Sequence, residues 1–409
     1  MERAFTTEGM RTMHKRILGI LALAMLLMTA LTPAAAQEPR QVWAYYFGWW
    51  TNDSWGDGRL TDRPANLYDS RDGGAVGRQI DEAKSAGVDA FIMSWYGPGN
   101  WVHDVFNMLL DQSAGRGFRA AVSVDMGAEF LTNTGDVTNA LATIINDRAN
   151  HPAYLRYNGK PVIYFWNQGR FSNAEWQAIR NQVDPGHNTI WVAEGTNTGV
   201  LSVFDGLYLF NTAWAGNPAS VAAQWKNRVA AAGGTFYTPT VLPGWDESAL
   251  AAGRPNPTSP RARNNGQFLT NSWNGAVSSG ANAILIVSWN EYFENSHIEP
   301  SQVYGTQSLD TLRPLVAAWK GGGSAPAASG GPAGSPTGVT YTVNSNLRLR
   351  SAPSTGDVIT SVPFGTTVDV IGRTADSSWV QVNYGGQSGW MSSGYGSFSG
   401  DLNAAPVTG

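Results

Sequence analysis

The sequence lacks cysteine altogether and carries little charge. With no thiol in its 409 residues, the chain can form neither disulfide bonds nor thiolate metal sites, and a cysteine nucleophile is excluded. Only 14% of the residues are charged, and 27 basic against 31 acidic residues give a net charge of −4. No excess of basic residues is available to neutralise phosphates, so nucleic acid is not expected as a partner. A hydrophobic fraction of 42% nevertheless indicates a folded chain with a sizeable core.

Hydrophobic runs of the roughly 20 residues that cross a membrane comfortably are also missing. The main apolar run, residues 17–31, follows basic residues and precedes three alanines at 34–36. A basic start, a short apolar stretch and an A-x-A sequence are typical of a secretory signal peptide. We therefore predict a signal peptide over residues 1–36 and a secreted or cell-envelope location, with an uncleaved anchor as the alternative.

The composition changes sharply in one later segment. Residues 321–338 consist almost wholly of Gly, Ser, Ala and Pro, which cannot bury an apolar face and are typical of a flexible linker. This linker separates a large block, residues 37–320, from a small block, residues 339–398, with residues 399–409 as a short tail. We predict one domain in each block.

The large block alternates strand-like apolar runs with helical patterns. Strands are predicted at residues 42–47, 88–95, 119–125, 161–166, 189–194, 206–210, 236–241 and 283–289. Helical patterns follow them, and only the fifth connection looks short of a helix. Eight strands with intervening helices predict an α/β fold, a (β/α)₈ TIM barrel rather than an open doubly wound sheet.

The small block has a different pattern. Short strands rich in Val, Thr and Tyr alternate with glycine-containing turns and predict a small all-β barrel. Its segments 347–354, 362–372, 379–382 and 386–391 resemble the bacterial SH3-like (SH3b) domain. A cell-wall or envelope component is the partner that this resemblance implies.

Candidate site residues follow from the barrel prediction, because reactive groups of such barrels lie at the C-terminal ends of the strands. The predicted substrate-binding residues at these positions are Tyr46, Trp95, Tyr96, Asp125, Trp166, Glu194, Trp245 and Asn290. A glycosidase needs two carboxyl groups and aromatic platforms for sugar rings. The acidic and aromatic residues at the predicted strand ends supply both, in a chain with 17 tryptophans. For the aromatic residues that end strands, stacking on a sugar and plugging the barrel mouth are both open.

The strongest cluster is SWNEYFENSHIEP, residues 288–300, directly after the last predicted strand. Glu291 and Glu294 are the predicted catalytic residues. In a tight turn their carboxyl groups would lie close together, as in retaining glycosidases, whereas an extended loop would separate them. A purely structural role, in which one of them caps a segment or pairs with an arginine, is the alternative. Glu299 is expected to brace the loop.

Four motifs together resemble glycoside hydrolase family 99, the endo-α-mannosidases and endo-α-mannanases. They are YYFGWW at 45–50, YDSRD at 68–72, GVDAFIMSWYGPG at 87–99 and SWNEYFENSHIEP. The resemblance implies retaining, endo-acting hydrolysis of an α-mannoside through a 1,2-anhydro sugar. Glu291 would take the proton of the sugar 2-hydroxyl, and Glu294 would protonate the leaving oxygen. The family's Glu-Trp-His-Glu run is Glu-Tyr-Phe-Glu here, with Asn295 where a glycine is usual.

No cofactor is predicted. The histidines after residue 36 are scattered at His103, His151, His187 and His297, without the spacing of a histidine metal site. No phosphate-binding glycine motif occurs, so a nucleotide cofactor is not expected. The predicted partner of the barrel is an oligosaccharide or polysaccharide. The alternative function is a non-catalytic carbohydrate-binding or cell-wall-binding protein that uses the barrel cleft and the SH3-like tail.

Overall fold

The structure is a computed structural model that describes most of the chain. The described residues are 39–127, 129–215, 218–254, 256–321, 338–344, 346–384 and 387–408. The predicted signal peptide and nearly all of the predicted linker therefore lie outside the described residues. Within the described residues, no helix is long and apolar enough to span a membrane.

The large domain is a nearly closed parallel barrel. Its parallel strands are β1 (Gln41–Phe47), β2 (Ala90–Trp95), β3 (Arg119–Asp125), β5 (Lys160–Trp166), β6 (Ile190–Glu194), β7 (Gly206–Tyr208), β8 (Phe236–Thr238), β9 (Thr240–Val241) and β10 (Ala283–Ile286). A short strand, β4 (Arg156–Tyr157), pairs antiparallel with β5 outside this path. The order along the sheet is β8-β7-β6-β5-β3-β2-β1-β10-β9. The predicted TIM barrel is confirmed.

One predicted strand is divided in two. The run at 236–241 forms β8 and β9 on either side of Pro239. β8 pairs with β7, and β9 pairs with β10. Because proline has no N–H to donate to a ladder, it interrupts the strand, but its carbonyl still accepts from the backbone N–H of Leu285 at 3.0 Å. The two ends of the sheet path are thus the two halves of one barrel strand.

Helices cover the outside of the barrel. They are α1 (Gly73–Ser85), α2 (Val102–Arg116), α3 (Thr134–Asn146), α4 (Asn173–Val183), α5 (Pro218–Ala231), α6 (Gln267–Ser278) and α7 (Gln307–Lys320). Asn133 and Ser172 begin α3 and α4 with capping boxes, which satisfy backbone N–H groups at the helix start. The connection from β6 to β7, described throughout, holds a 3₁₀ turn at Thr198–Ser202 instead of an α-helix. This agrees with the expectation for the fifth connection.

Alternation along β1 decides which side chains reach the barrel interior. Trp43 stacks on Phe236 with ring centroids 6.1 Å apart and meets Tyr164 edge-on at 6.2 Å. Because successive strand residues point to opposite faces, Tyr45 and Phe47 share the inner face with Trp43. Their side chains lie nearer the C-terminal end of the strand, where the barrel opens.

The small domain is a separate antiparallel sheet. Its strands are β11 (Thr340–Val343), β12 (Leu347–Arg350), β13 (Val358–Val362), β14 (Thr367–Arg373), β15 (Trp379–Tyr384), β16 (Gln387–Ser392) and β17 (Gly396–Ser399), in the order β13-β12-β16-β15-β14-β11-β17. The predicted all-β fold of this domain is confirmed. The backbone of Arg373 donates to Pro406 and accepts from Thr408, so the domain's hydrogen bonding extends past residue 398.

Candidate active site

A cavity of about 590 Å³ opens at the C-terminal ends of the barrel strands. Its size is typical of ligand sites in proteins. The lining residues are Tyr45, Phe47, Trp49, Ser94, Asp125, Trp166, Glu194, Phe210, Asn211, Trp214, Trp245, Leu250, Arg254, Glu291, Phe293 and Glu294. The wall therefore combines four carboxyl groups with many aromatic rings and a single guanidinium group.

A tight turn after β10 carries the two predicted catalytic residues. The backbone N–H of Asn295 donates to the Tyr292 carbonyl at 3.3 Å, and that of Ser296 donates to the Glu291 carbonyl at 3.2 Å. Asn295 closes the turn in the left-handed region, with φ of 53°. The sequence left a tight turn and an extended loop open for this segment, and the structure has the tight turn. Both glutamates are buried and line the cavity.

Glu291 lies in the more secluded environment of the two. Its Oε1 accepts the backbone N–H of Phe293 at 2.9 Å, and its own backbone N–H donates to Ser288 Oγ at 2.7 Å. Burial raises the pKa of Glu291 well above its ordinary value, and the negative charge of Glu294 raises it further. Two carboxyl groups in such proximity disfavour simultaneous ionisation.

Glu294 is paired with a cation on the cavity wall. Arg254 Nη2 donates to Glu294 Oε1 at 2.6 Å. Burial raises the pKa of Glu294 to about 7, although the charge and hydrogen bond of Arg254 act in the opposite direction. The second carboxyl oxygen, Oε2, is buried without a hydrogen-bond partner among the described residues. An acidic group that titrates near neutrality, lines a cavity and has one carboxyl oxygen without a hydrogen-bond partner is suited to proton transfer.

Arg254 is in turn held by a second buried carboxylate. Its Nη1 lies 2.8 Å from Glu247 Oε2. Glu247 Oε1 accepts the backbone N–H of Thr258 at 2.6 Å and the indole N–H of Trp245 at 3.2 Å. Sequence reasoning missed Arg254 and Glu247, because both lie in the long segment between β9 and α6, where no periodicity places side chains.

The opposite walls carry the other predicted residues that line the cavity. Asp125 Oδ2 accepts from Ser94 Oγ at 3.1 Å, and its Oδ1 accepts the backbone N–H of Gly127 at 2.8 Å. Burial raises the pKa of Glu194, and its Oε1 accepts the backbone N–H of Phe210 at 3.3 Å. Asp125, Glu194, Trp166 and Trp245 all lie in the cavity wall.

Tyr96 contacts residues of the cavity lining. Its ring is nearly parallel to that of Trp49, with centroids 6.2 Å apart and planes 11° apart. Its hydroxyl accepts from Ser94 Oγ at 3.4 Å. Tyr96 therefore supports two lining residues and does not itself belong to the lining.

Tyr46 and Trp95 lie outside the cavity, which corrects the expectation that they face a sugar. Tyr46 is fully buried on the outer face of β1, where its hydroxyl donates to Gln79 on α1 at 2.9 Å. The indole N–H of Trp95, also fully buried, donates to His103 Nδ1 on α2 at 3.2 Å. The reason is the alternation of strand residues: Tyr45 and Ser94, one position earlier in each strand, line the cavity instead.

Asn290 is likewise structural rather than cavity-lining, which corrects its assignment to substrate. Its Nδ2 donates to the Phe47 carbonyl at 2.8 Å, and its Oδ1 accepts the Phe47 backbone N–H at 2.8 Å. Nδ2 also lies 3.0 Å from the hydroxyl of Tyr68. Asn290 thus fastens the turn of Glu291 and Glu294 to the end of β1.

Glu299 and His297 pack behind the turn. Glu299 accepts from Gln79 Nε2 at 2.7 Å, from the Tyr292 hydroxyl at 2.9 Å and from the Tyr68 hydroxyl at 3.3 Å. These contacts agree with the bracing role expected from the sequence. His297 pairs with Asp62 at 3.0 Å. Among the residues that the structure describes, no group of three or more His, Asp or Glu side chains has the arrangement of a metal site.

A parallel α/β barrel whose mouth combines paired carboxyl groups with aromatic rings belongs to the class of carbohydrate-active barrels. The family model of glycosyl hydrolase family 99 matches residues 64–313, more than half of the chain, and the protein belongs to this family. A bacterial SH3 domain matches residues 345–397. Both resemblances inferred from the sequence motifs are confirmed.

The relatives that match the chain are distant in sequence. The chain is 26% identical over 259 residues to the glycoprotein endo-alpha-1,2-mannosidase of Xenopus laevis, covering 57% of this chain and 56% of that protein. It is 25% identical over 259 residues to the glycoprotein endo-alpha-1,2-mannosidase-like protein of Homo sapiens, covering 57% and 55%. The match thus spans about half the length of these relatives.

A solved structure shares the fold. The family 99 endo-alpha-mannosidase from Bacteroides thetaiotaomicron, in complex with BIS-TRIS-propane, superimposes with a TM-score of 0.56 at 24% identity. The superposition covers 64% of this chain and 87% of that chain. It supports the barrel architecture independently of the sequence motifs.

Proposed function

We propose that the protein is a glycoside hydrolase that cleaves α-mannosides within a chain, with Glu291 and Glu294 as its reacting carboxyl groups. The observation that carries the proposal is the turn that brings both side chains into one cavity. Family membership and the names of the relatives support a mannoside as the substrate. Aromatic rings on the wall, including the half-exposed Trp214, offer platforms for sugar rings.

The proposed reaction retains the configuration at the anomeric carbon. The carboxylate of Glu291 accepts the proton of the sugar 2-hydroxyl while O2 attacks the anomeric carbon. Glu294 gives its proton to the leaving glycosidic oxygen, and a 1,2-anhydro sugar forms as that bond breaks. Glu294 then accepts a proton from the attacking water, and Glu291 returns its proton to O2 as the ring opens.

This scheme requires a defined distribution of protons before the first step. Glu291 must be ionised and Glu294 protonated. Burial raises the pKa of both carboxyl groups, which favours the proton on Glu294 but opposes the ionised form of Glu291, and the contact with Arg254 acts to lower the pKa of Glu294. A bound 2-hydroxyl that donates to Glu291 would favour its ionised form, and the shared charge of the pair would then favour the protonated form of Glu294.

The test is product release from α-mannans and a panel of related glycans, read by mass spectrometry. We expect wild-type protein to release oligosaccharides, and Glu291→Gln and Glu294→Gln to slow release by about 10²- to 10⁴-fold. Glu175→Gln is the matched control, since glutamine also fits the capping box that Glu175 completes at the start of α4. Undiminished turnover in both active-site variants would remove these residues from the mechanism. Saturable glycan binding without any product from wild type would instead indicate the non-catalytic alternative.

We propose that the SH3 domain attaches the protein to a cell-wall component outside the cytoplasm. Support comes from the match to a bacterial SH3 domain and from two exposed aromatic residues, Phe364 and Tyr395, on its surface. Full-length protein should co-sediment with purified cell walls. The double variant Phe364→Ser, Tyr395→Ser should bind less while its hydrolysis of a soluble glycan stays unchanged. Equal sedimentation of the two proteins would count against these residues as the binding surface.

A further inference from the structure

Arg254 lies between two buried carboxyl groups in the wall of the cavity. One amino group of its guanidinium is 2.6 Å from Glu294 Oε1, and the other is 2.8 Å from Glu247 Oε2. The glutamate side chains are 9% and 3% exposed, whereas that of Arg254 is 39% exposed. The guanidinium of Arg254 thus contacts two buried carboxyl groups at once.

The two carboxyl groups differ in what else holds them. Glu247 is fixed by the backbone N–H of Thr258 and the indole of Trp245 and does not belong to the cavity lining. Glu294 lines the cavity, and its Oε2 has no hydrogen-bond partner among the described residues. The backbone N–H of Asp246 donates to the Glu294 carbonyl at 2.8 Å, so the loop of Glu247 is attached to the catalytic turn.

This arrangement conflicts with the proton distribution that the proposed reaction needs. A guanidinium in contact with a carboxyl group stabilises the ionised form. Glu294 must carry a proton to act as the acid, and the contact with Arg254 opposes this. The conflict disappears if Arg254 moves off Glu294 and stays paired with Glu247, whose position is fixed independently.

On the basis of the proposed function, we infer that Arg254 is a positioning residue for which Glu247 and Glu294 compete. A sugar that enters the cavity displaces the guanidinium from Glu294 towards Glu247. The carboxylate of Glu294 then takes up a proton from hydronium in the solvent and directs it at the glycosidic oxygen. Glu247 acts through Arg254 and does not touch the substrate. Arg254 and Glu247 together therefore decide whether Glu294 is protonated when substrate is bound.

Other charges surround Glu294 and remain constant in the comparisons below. Glu291 lies on the same turn, and Asp125 and Glu194 line the same cavity. Arg263 donates to the Asn295 carbonyl at 2.9 Å, the guanidinium of Arg59 lies 5.0 Å from the Phe293 ring, and Asp246 is attached through its backbone. Variants at Arg254 and Glu247 leave all of these groups in place.

The test is the pH dependence of kcat/KM for the single and double variants. The alkaline limb reports the acid that must be protonated in the free enzyme. Arg254→Gln removes a positive charge, so Glu294 keeps its proton to higher pH and the limb moves up by about 1 pH unit or more. In Glu247→Gln, Glu294 is the remaining buried carboxyl group that Arg254 can pair with, so the alkaline limb moves to lower pH. The double variant should lie between the two, and Arg254→Lys should move the limb least.

Two controls separate this role from a structural one. Arg261→Gln changes a guanidinium of the same loop that donates to the Ala213 carbonyl, and it should leave the alkaline limb where it is. Thermal unfolding should show that every variant compared is folded. Shifts in the same direction for Arg254→Gln and Glu247→Gln, or no shift in either, would overturn the inference.

A second readout does not depend on turnover. The carboxyl carbon of Glu294 can be followed by ¹³C NMR in protein with labelled glutamate, its signal being assigned by its loss in Glu294→Gln. Its titration midpoint should rise in Arg254→Gln and fall in Glu247→Gln. If wild-type protein releases no product from any glycan, the proposed function fails while this titration still tests the competition for Arg254. An unchanged titration in an active enzyme would overturn the inference alone.

Discussion

Buried carboxyl groups on the two sides of the turn after β10 differ in how completely they are hydrogen-bonded. On the packed side, both oxygens of Glu299 accept hydrogen bonds, from Gln79, Tyr292 and Tyr68. On the cavity side, Glu294 Oε2 accepts none from the described residues. Burial raises the pKa on both sides, to about 8 for Glu299 and about 7 for Glu294. The raised pKa therefore does not distinguish the two carboxyl groups, whereas their hydrogen bonding and the contact of Glu294 with the cavity do.

The largest expected effect is a loss of activity from a substitution on the cavity side of the turn. Glu291→Gln should lower kcat/KM by about 10²- to 10⁴-fold, the usual contribution of a general base. The glutamine keeps the shape of the side chain and brings no charge into the buried site, so the melting temperature should not fall. Both quantities are measured on the same preparation. A large loss of stability would instead indicate that Glu291 has a structural role like that of Glu299.

The second effect is a loss of stability on the packed side. Glu299→Ala leaves three buried donors without their acceptor, and each unsatisfied group costs about 1–3 kcal/mol. Denaturant unfolding should show a loss of several kcal/mol, with Glu299→Gln much closer to wild type. An alanine variant as stable as wild type would mean that the hydrogen bonds to Glu299 do not hold the turn.

The third effect is a pH dependence of stability that belongs to Glu299. Its pKa is about 8 in the folded protein, against an ordinary value of 4.5. The folded state therefore binds the proton more tightly than the unfolded state, so this contribution is complete below pH 4.5 and is lost as the pH rises through 8. Denaturation of Glu299→Gln at pH 5 and pH 8 should show the variant gaining on wild type as the pH rises. A constant difference between the two proteins would contradict this linkage.

The smallest effect compares the two faces of the barrel strands. Tyr46→Phe removes one buried hydrogen bond to Gln79 and should cost about 0.5–1.5 kcal/mol without altering KM. Trp166→Ala removes a ring from the cavity wall and should raise KM. Steady-state kinetics and unfolding of both variants check this. A raised KM in Tyr46→Phe alone would restore Tyr46 as a substrate-binding residue.

The fold could be predicted because its signals are local and repeat along the chain. Apolar runs at strand spacing mark each barrel strand, but the interruption at Pro239 and the earlier ends of β7 and β10 were not anticipated. Side-chain direction was harder to predict. The sequence YYF at 45–47 presents an aromatic residue on both faces of β1, so composition does not distinguish Tyr45 in the cavity from Tyr46 against α1.

Cavity-lining residues were anticipated where they end predicted strands or belong to one short motif, and were missed in the irregular segment between β9 and α6. Glu291 and Glu294 lie three positions apart, and their spacing permits one turn to carry both. Arg254 lies 40 residues from Glu294, in a segment without regular structure. No pattern within that segment indicates which carboxyl groups its guanidinium will meet.

By itself, the sequence determined the barrel, the small β-domain and the two acidic residues after the last barrel strand. These depend on the periodicity of apolar residues and on a short motif, which are properties of neighbouring residues. Only the tertiary structure decided which side chains share the cavity, which of the buried carboxyl groups are fully hydrogen-bonded, and that one arginine serves both Glu247 and Glu294. Those features depend on contacts between distant segments, because the protonation of a buried acid is set by every charge and dipole brought near it in space.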